Sequence, residues 1–309
     1  MKCPICYNTT WKNLFPSIDR LYHFQGTFNT VRCNKCGLWR LDPFLKEREV
    51  RKYYPKTYYA YQKNMKPGIF WQLRSYMIKK SISMQPIHCL LRFVIKVPAI
   101  PSFVKHGKIL DIGCGSGDTL FQLKNIGWDV YGLDIDRFAI QIAHQRGLKK
   151  VAFGSYKAMR LYPDNYFDAI RLYHVIEHLD NPMKCLSLIC KKLKPGGELI
   201  IGTPNGNSCV ARMTKQYWYN LDCPRHLYIF SPKQLIVLLK KVGFTNIKIS
   251  FSSAGGILGS IQYFLHDTLR MNIDLINRPI LLFLLYPFER VLDTLEKGDV
   301  FVISAKKSI

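Results

Sequence analysis

Short apolar runs and amphipathic stretches alternate with regularity over residues 108–305. Runs of strand character fall at 108–111, 130–134, 151–153, 168–172, 198–203, 246–251 and 300–305. Between them, apolar residues three and four apart predict helices at 119–125, 138–146, 183–193 and 232–242. Strands alternating with helices predict an α/β, doubly wound fold, with a parallel sheet covered on both faces. Right-handed crossovers then gather the loops that follow the strands along one edge, where ligands bind. The interval 254–297 breaks the alternation. It is helical and apolar, and reads as an insertion serving as a lid or packing element. Upstream, a polar, tyrosine-rich link at 43–62 leads to a helical pattern at 69–84, and Pro98, Pro101 and Gly107 punctuate the entry to the main unit. The expected division is 1–45, a basic helical linker or accessory region at 46–104, and a main domain at 105–309.

Composition changes this picture in one respect. The 309 residues are 48% hydrophobic and 13% aromatic, enough for a sizeable core, but the formal charge is +24. Between Lys46 and Lys108 stand 14 Lys/Arg against Glu47 and Glu49. This asymmetry points to an anionic partner such as lipid headgroups, a phosphorylated substrate or nucleic acid. The start of the chain shows no signal-peptide pattern and no apolar run is long enough to span a bilayer, so a cytoplasmic protein is expected, with contact at the inner face of the membrane open to it. The 69–84 stripe reads either as a clamp or membrane-surface element or, more simply, as an accessory helix packed on the core.

Two C-x2-C pairs, Cys3/Cys6 and Cys33/Cys36, flank a gap of 26 residues. Four thiolates presented from two tight turns suit one tetrahedral zinc ion, and with four cysteines no coordination site stays open, so the metal is expected to be structural. A redox reading of a single pair does not account for the second.

The sharpest chemistry lies in Ile109-Leu110-Asp111-Ile112-Gly113-Cys114-Gly115-Ser116-Gly117: a strand, an acid, a glycine loop and a helix start. Glycine lets backbone turn sharply and approach a ligand, and the helix N-terminus offers free N–H groups. Asp134 closes the second strand, with Ile135 beside it, where an acid meets ribose hydroxyls. The spacing G-x-G-x-G differs from the G-x-G-x-x-G of dinucleotide folds. Asp111 would repel a pyrophosphate but suits a cationic cofactor, which favours S-adenosylmethionine over NAD.

With these residues the chain resembles class I S-adenosylmethionine-dependent methyltransferases over 105–253, through 109–117, 130–136, 166–182 and 193–205. The resemblance implies a Rossmann-like, seven-stranded sheet, with Gly113, Gly115 and Gly117, and with them Cys114, near the methionine part of the cofactor. It further implies Asp134 on the ribose and backbone near His174 lining the same pocket. At Gly154-Ser155, where many relatives place an acid for the adenine amino group, this sequence has none, so the adenine contact stays unassigned. The N-terminal cysteines extend the resemblance to zinc-ribbon methyltransferases that act on sugars, polysaccharides or glycolipids. The run 219–231 is similar to their segment after strand five, where a histidine is the usual base.

Methyl transfer to a hydroxyl requires positioning and a base, and histidine suits the latter at neutral pH. The candidates are His226, His174 and His178, with Glu177 between the last two. His174 and His178, four apart, could also bind a metal. Glu177 and His178 equally read as braces for the following helix, and His226 as a hydrogen-bonded loop residue. Arg225 reads as a phosphate ligand or as a salt-bridge partner. The expected acceptor is a small molecule, a hydroxyl of a sugar, glycolipid or polysaccharide precursor. Sugar C-methylation and RNA methylation, the latter using the ribbon and the basic surface, are the alternatives. The sequence after strand four, Tyr173–Glu177, lacks a base-methylation motif and so speaks against RNA.

Overall fold

The computed structural model of the chain describes residues 1–55, 99–253 and 255–309. The helical pattern at 69–84, most of the basic accessory stretch and Ala254 lie outside them.

Eleven strands occur among the described residues: β1 (Trp11–Ser17), β2 (Phe28–Cys33), β3 (Trp39–Asp42), β4 (Lys108–Ile112), β5 (Asp129–Asp134), β6 (Val151–Phe153), β7 (Phe167–Tyr173), β8 (Leu193–Pro204), β9 (Tyr228–Ile229), β10 (Phe244–Phe251) and β11 (Val300–Lys307). Seven form one sheet in the order β10-β11-β8-β7-β4-β5-β6. The five strands from β8 to β6 in that order are mutually parallel. Ile109, Leu110 and Ile112 of the central β4 are buried, as a strand covered on both faces requires. The sheet departs from the all-parallel expectation at β11, which runs antiparallel to both β8 and β10. The physical cause is the connection. Two helices, Gly256–Leu269 and Pro279–Thr294, leave β10 and bring the chain back at the same end of the sheet, so the next strand must reverse.

The helices begin where side chains can satisfy their free N–H groups. Asp136 accepts from Ala139 N–H, Asn181 from Lys184 N–H just before Pro182, and Ser231 forms a capping box with Gln234.

The N-terminal strands form an antiparallel sheet whose fourth member, β9, comes from the loop that follows β8 in the main unit. Leu41 N–H donates to Leu227 O at 3.0 Å, and Gln234 Nε2 to Cys36 O at 2.9 Å. Cys3, Ile5, Leu38 and Leu41 belong to the same buried cluster as Leu110, Leu199 and Leu235. The cysteine-bearing module therefore shares a core with the main sheet, and the segment 219–231 is stitched between the two.

Candidate active site

The loop after β4 turns on three glycines with left-handed backbone, Gly113 (φ 70°), Gly115 (φ 53°) and Gly117 (φ 79°). A Cβ on Gly113 would lie 2.4 Å from Val175 Cγ2, and one on Gly117 would lie 2.3 Å from Leu148 Cδ1, so neither site accepts a side chain. Gly117 caps the helix Asp118–Asn125 with no side-chain hydrogen bond, which leaves its first turn facing the loop. Asp134 at the end of β5 holds this loop in place. One of its oxygens accepts from Gly115 N–H at 2.7 Å and the other from Asp136 N–H at 2.9 Å. A carboxylate offers about four lone-pair sites, so capacity for ribose hydroxyls is left. Burial pushes the Asp134 carboxyl upward against these two hydrogen bonds. Ile135, next to it, is exposed.

Asp111 behaves otherwise than its place in the motif suggests. It is buried, and Arg171 Nη1 donates to both its oxygens at 3.0 and 2.8 Å. Its charge is met inside the protein, between neighbouring strands. The local signal for this partner is a lone arginine within the largely apolar strand Phe167–Tyr173, and it does not say which acid the arginine meets. Cys114 faces inward as well: a Cβ on Gly132 would lie 2.8 Å from its Sγ, so any contact it makes with a cofactor is through backbone.

Past the end of β7 the second group of residues converges. His174 adopts φ 54°, a left-handed conformation costly for a non-glycine residue, and its N–H donates to Gly202 O at 2.8 Å. The turn brings Glu177 to the bottom of the site, where it has no solvent exposure. Glu177 Oε1 lies 3.1 Å from His174 Nδ1, and its Oε2 accepts from Thr203 Oγ1 at 2.9 Å. Burial acts to raise this carboxyl, but the His174 hydrogen bond and the neighbouring histidines outweigh it and hold it at about 2.

His226 enters from the stitched loop. Its Nδ1 lies 2.9 Å from Asn220 O, and since a carbonyl only accepts, Nδ1 carries the proton. Nε2 is then the basic atom, 4.0 Å from Glu177 Oε1 and 3.8 Å from Asp222 Oδ2. Burial, reinforced by His178, pushes His226 down to about 4. The His178 ring stands edge-on to it at 4.6 Å between centroids, with Nδ1 2.9 Å from Arg225 O and from Tyr54 Oη. Ligand atoms of Glu177, His178 and His226 lie within 4.8 Å of one another. The structure thus groups His178 with His226 and Glu177, while His174 turns its Nδ1 to Glu177. Arg225 is buried and paired with Asp19 and Asp222, so of its two readings the salt bridge holds. Asp222 and Asn220, which frame His226, carried no distinguishing signal, because loop contacts of this kind depend on the tertiary fold.

At the other end of the N-terminal sheet, Cys3 Sγ and Cys36 Sγ are 3.4 Å apart, and Cys6 Sγ and Cys33 Sγ 3.5 Å. All four sulfurs lie within 4.8 Å of one another. A tetrahedral zinc thiolate site separates its sulfurs by about 3.8 Å, and the cluster is compatible with that. The hydrogen bond from Cys36 holds the Cys3 thiol down to about 5.

A doubly wound sheet, a left-handed glycine loop and a carboxylate bracing it define a nucleotide-cofactor enzyme of the α/β class. The chain belongs to the methyltransferase-domain family, whose model matches residues 87–249, and it is an S-adenosylmethionine-dependent methyltransferase. It is 30% identical over 156 residues to an uncharacterised protein of Methanocaldococcus jannaschii, covering 50% of this chain and 72% of that one. It is also 30% identical over 105 residues to the ubiquinone biosynthesis O-methyltransferase of a Shewanella species, covering 32% of this chain and 44% of the relative, less than half its length. Among solved structures, a SAM-dependent methyltransferase from Archaeoglobus fulgidus aligns with a TM-score of 0.48 at 22% identity, over 75% of this chain and 99% of that one. No helix among the described residues is long and apolar enough to cross a membrane.

Proposed function

We propose that the chain methylates a hydroxyl of a small acceptor, a sugar, glycolipid or polysaccharide precursor, with His226 as general base. The observation that carries this reading is the tautomer of His226. Asn220 O fixes the proton on Nδ1 and leaves Nε2 free to accept another, beside the carboxylates of Glu177 and Asp222, which favour the imidazolium against the burial that holds His226 at about 4 in the free enzyme. His178 packs against the ring and limits its rotation, and Glu177 supplies the counter-charge. The similarity to an O-methyltransferase, the Shewanella relative, supports oxygen as the accepting atom.

S-adenosylmethionine supplies an electrophilic methyl group. In this reading the backbone of Gly113, Cys114, Gly115 and Gly117 receives its methionine part, Asp134, with Ile135 beside it, its ribose, and backbone at His174 closes the pocket. Asp111 serves by fixing Arg171 and the strand ends. Cys3, Cys6, Cys33 and Cys36 hold a structural zinc ion.

His226→Ala should lower kcat at least tenfold and leave cofactor affinity unchanged in calorimetry, whereas Gly115→Arg should abolish cofactor binding. A fully active His226→Ala chain removes the base, and unchanged affinity in Gly115→Arg removes the pocket. A second reading rests on the proximity of the Glu177, His178 and His226 ligand atoms, which could hold a divalent ion that acidifies the acceptor hydroxyl. Turnover lost to a chelator and restored by magnesium alone would favour that reading. Tight, salt-dependent RNA retention on filters would favour a nucleic-acid acceptor.

A further inference from the structure

The helix Pro279–Thr294 is apolar on two sides. One side is used: Leu292 is buried, Asp293 accepts from Ser253 N–H and Oγ, and Glu289 accepts from Gly255 N–H. The other side carries Ile280 (75% exposed), Phe283 (77%), Leu284 (64%), Phe288 (56%) and Val291 (50%), continued by Leu295 (62%) just past its end. These positions recur at helical spacing and form one stripe. Since Glu289 and Asp293 anchor the inner side, the stripe is held outward by specific bonds. Soluble surfaces rarely carry contiguous apolar area of this extent without a partner. At the turn that joins this helix to Gly256–Leu269, exposed Leu269 and Met271 alternate with exposed Arg270 and Arg278.

We propose that this stripe is a membrane-docking face, with the helix lying flat in the headgroup region of an anionic bilayer. Sixteen residues span about 24 Å, too short to cross, and the arginines at the turn can snorkel toward phosphates while the apolar side chains sink into the acyl boundary. Charge selects this occupant over a second copy of the chain. Each chain carries +24, so two copies repel where an anionic surface attracts. The hairpin itself does not supply the attraction, because its acids, Asp267, Asp274, Glu289, Asp293 and Glu296, offset its basic residues; the attraction rests on the chain's net charge of +24. The helix Gly256–Leu269, which the turn joins to the docked helix, packs Tyr263 on Tyr219, the residue before Asn220. The assignment concerns binding alone and does not depend on which acceptor is methylated.

The test is flotation of the full chain, without substrate, on phosphatidylglycerol–phosphatidylcholine vesicles and on phosphatidylcholine alone, comparing wild type with Phe283→Ser/Leu284→Ser. Wild type should float with the anionic vesicles and the double variant should partition about tenfold less, having lost two inserted side chains. A melting curve and cofactor affinity equal to wild type would establish that the variant is folded; if it is not, Ile280→Ser is read in the same way. Three results overturn the proposal: no binding of wild type to anionic vesicles, equal partition of folded variant and wild type, or a dimer in sedimentation velocity that the substitution abolishes.

Discussion

Arg225 and Asp19 form a two-pronged ion pair, at 2.7 and 2.8 Å, in which neither side chain reaches solvent, across a sequence separation of 206 residues. The same guanidinium bonds Asp222 at 2.7 Å and the carbonyl of Tyr53 at 3.0 Å. Arg225 thereby ties the cysteine-bearing module to the loop that presents His226.

Removing the arginine leaves two buried carboxylates without their cation. Breaking a buried pair from one side costs about 3–5 kcal/mol, and Arg225→Ala should lose that much in urea denaturation. Fraying should begin in the N-terminal module, visible as faster amide exchange in β3. A loss below about 1 kcal/mol, the size of an exposed pair, would show that the pair does not secure the fold.

His226 makes stability depend on pH. Its folded value of about 4 lies below the ordinary 6.5, so between those limits the unfolded chain binds the proton more readily. Stability should be full above about pH 6.5 and fall on acidification toward pH 4, by about 1.4 kcal/mol per unit. Glu177, held at about 2 against an ordinary 4.5, adds a second loss between those values. Melting temperatures at pH 7, 5.5 and 4.5 for wild type and His226→Asn check the first step. Equal losses in the two chains would place its origin elsewhere.

Much of this arrangement was legible in the sequence because its signals are local. The strand ending in Asp111, the glycine loop and Asp134 follow from alternation and spacing, and β6 lies at the expected 151–153. What the sequence did not give away depends on distant segments meeting. Nothing near Asp111 announces that Arg171, 60 residues later, neutralises it, and nothing near Tyr228 announces that it extends the sheet of β3. The reversal of β11 follows from a two-helix connection whose parity periodicity alone does not reveal. The outward stripe on Pro279–Thr294 was hidden for another reason: which side of a largely apolar helix faces the core is not known until its neighbours are.

Asp134 holds the glycine loop through Gly115 N–H on one oxygen and the turn after β5 through Asp136 N–H on the other. Hydrogen bonds to a charged acceptor are worth about 1.5–3 kcal/mol, and some of that is spent keeping the loop in its binding shape. Asp134→Ala should therefore weaken S-adenosylmethionine binding by roughly tenfold to a hundredfold, with a small change in melting temperature. Asp134→Asn keeps one accepting oxygen and should fall between. Calorimetric affinities that leave both variants equal to wild type would detach Asp134 from the cofactor.

The four cysteines make a claim that can be counted. One zinc per chain is expected from elemental analysis, lost in Cys33→Ser. Because the cluster caps β1–β3 and β3 pairs with β9, loosening it should travel to Leu227 and His226. Chelation should thus lower both the melting temperature and turnover, while cofactor affinity, assigned in our proposal to the β4 loop in the other sheet, should stay near wild type. Structural zinc contributes directly to folding energy, so re-adding zinc, and not magnesium, should restore the melt. Metal-free protein with an unchanged melting temperature would sink the structural role, and loss of cofactor affinity in parallel with turnover would mean that the module acts on the whole fold rather than on the acceptor side.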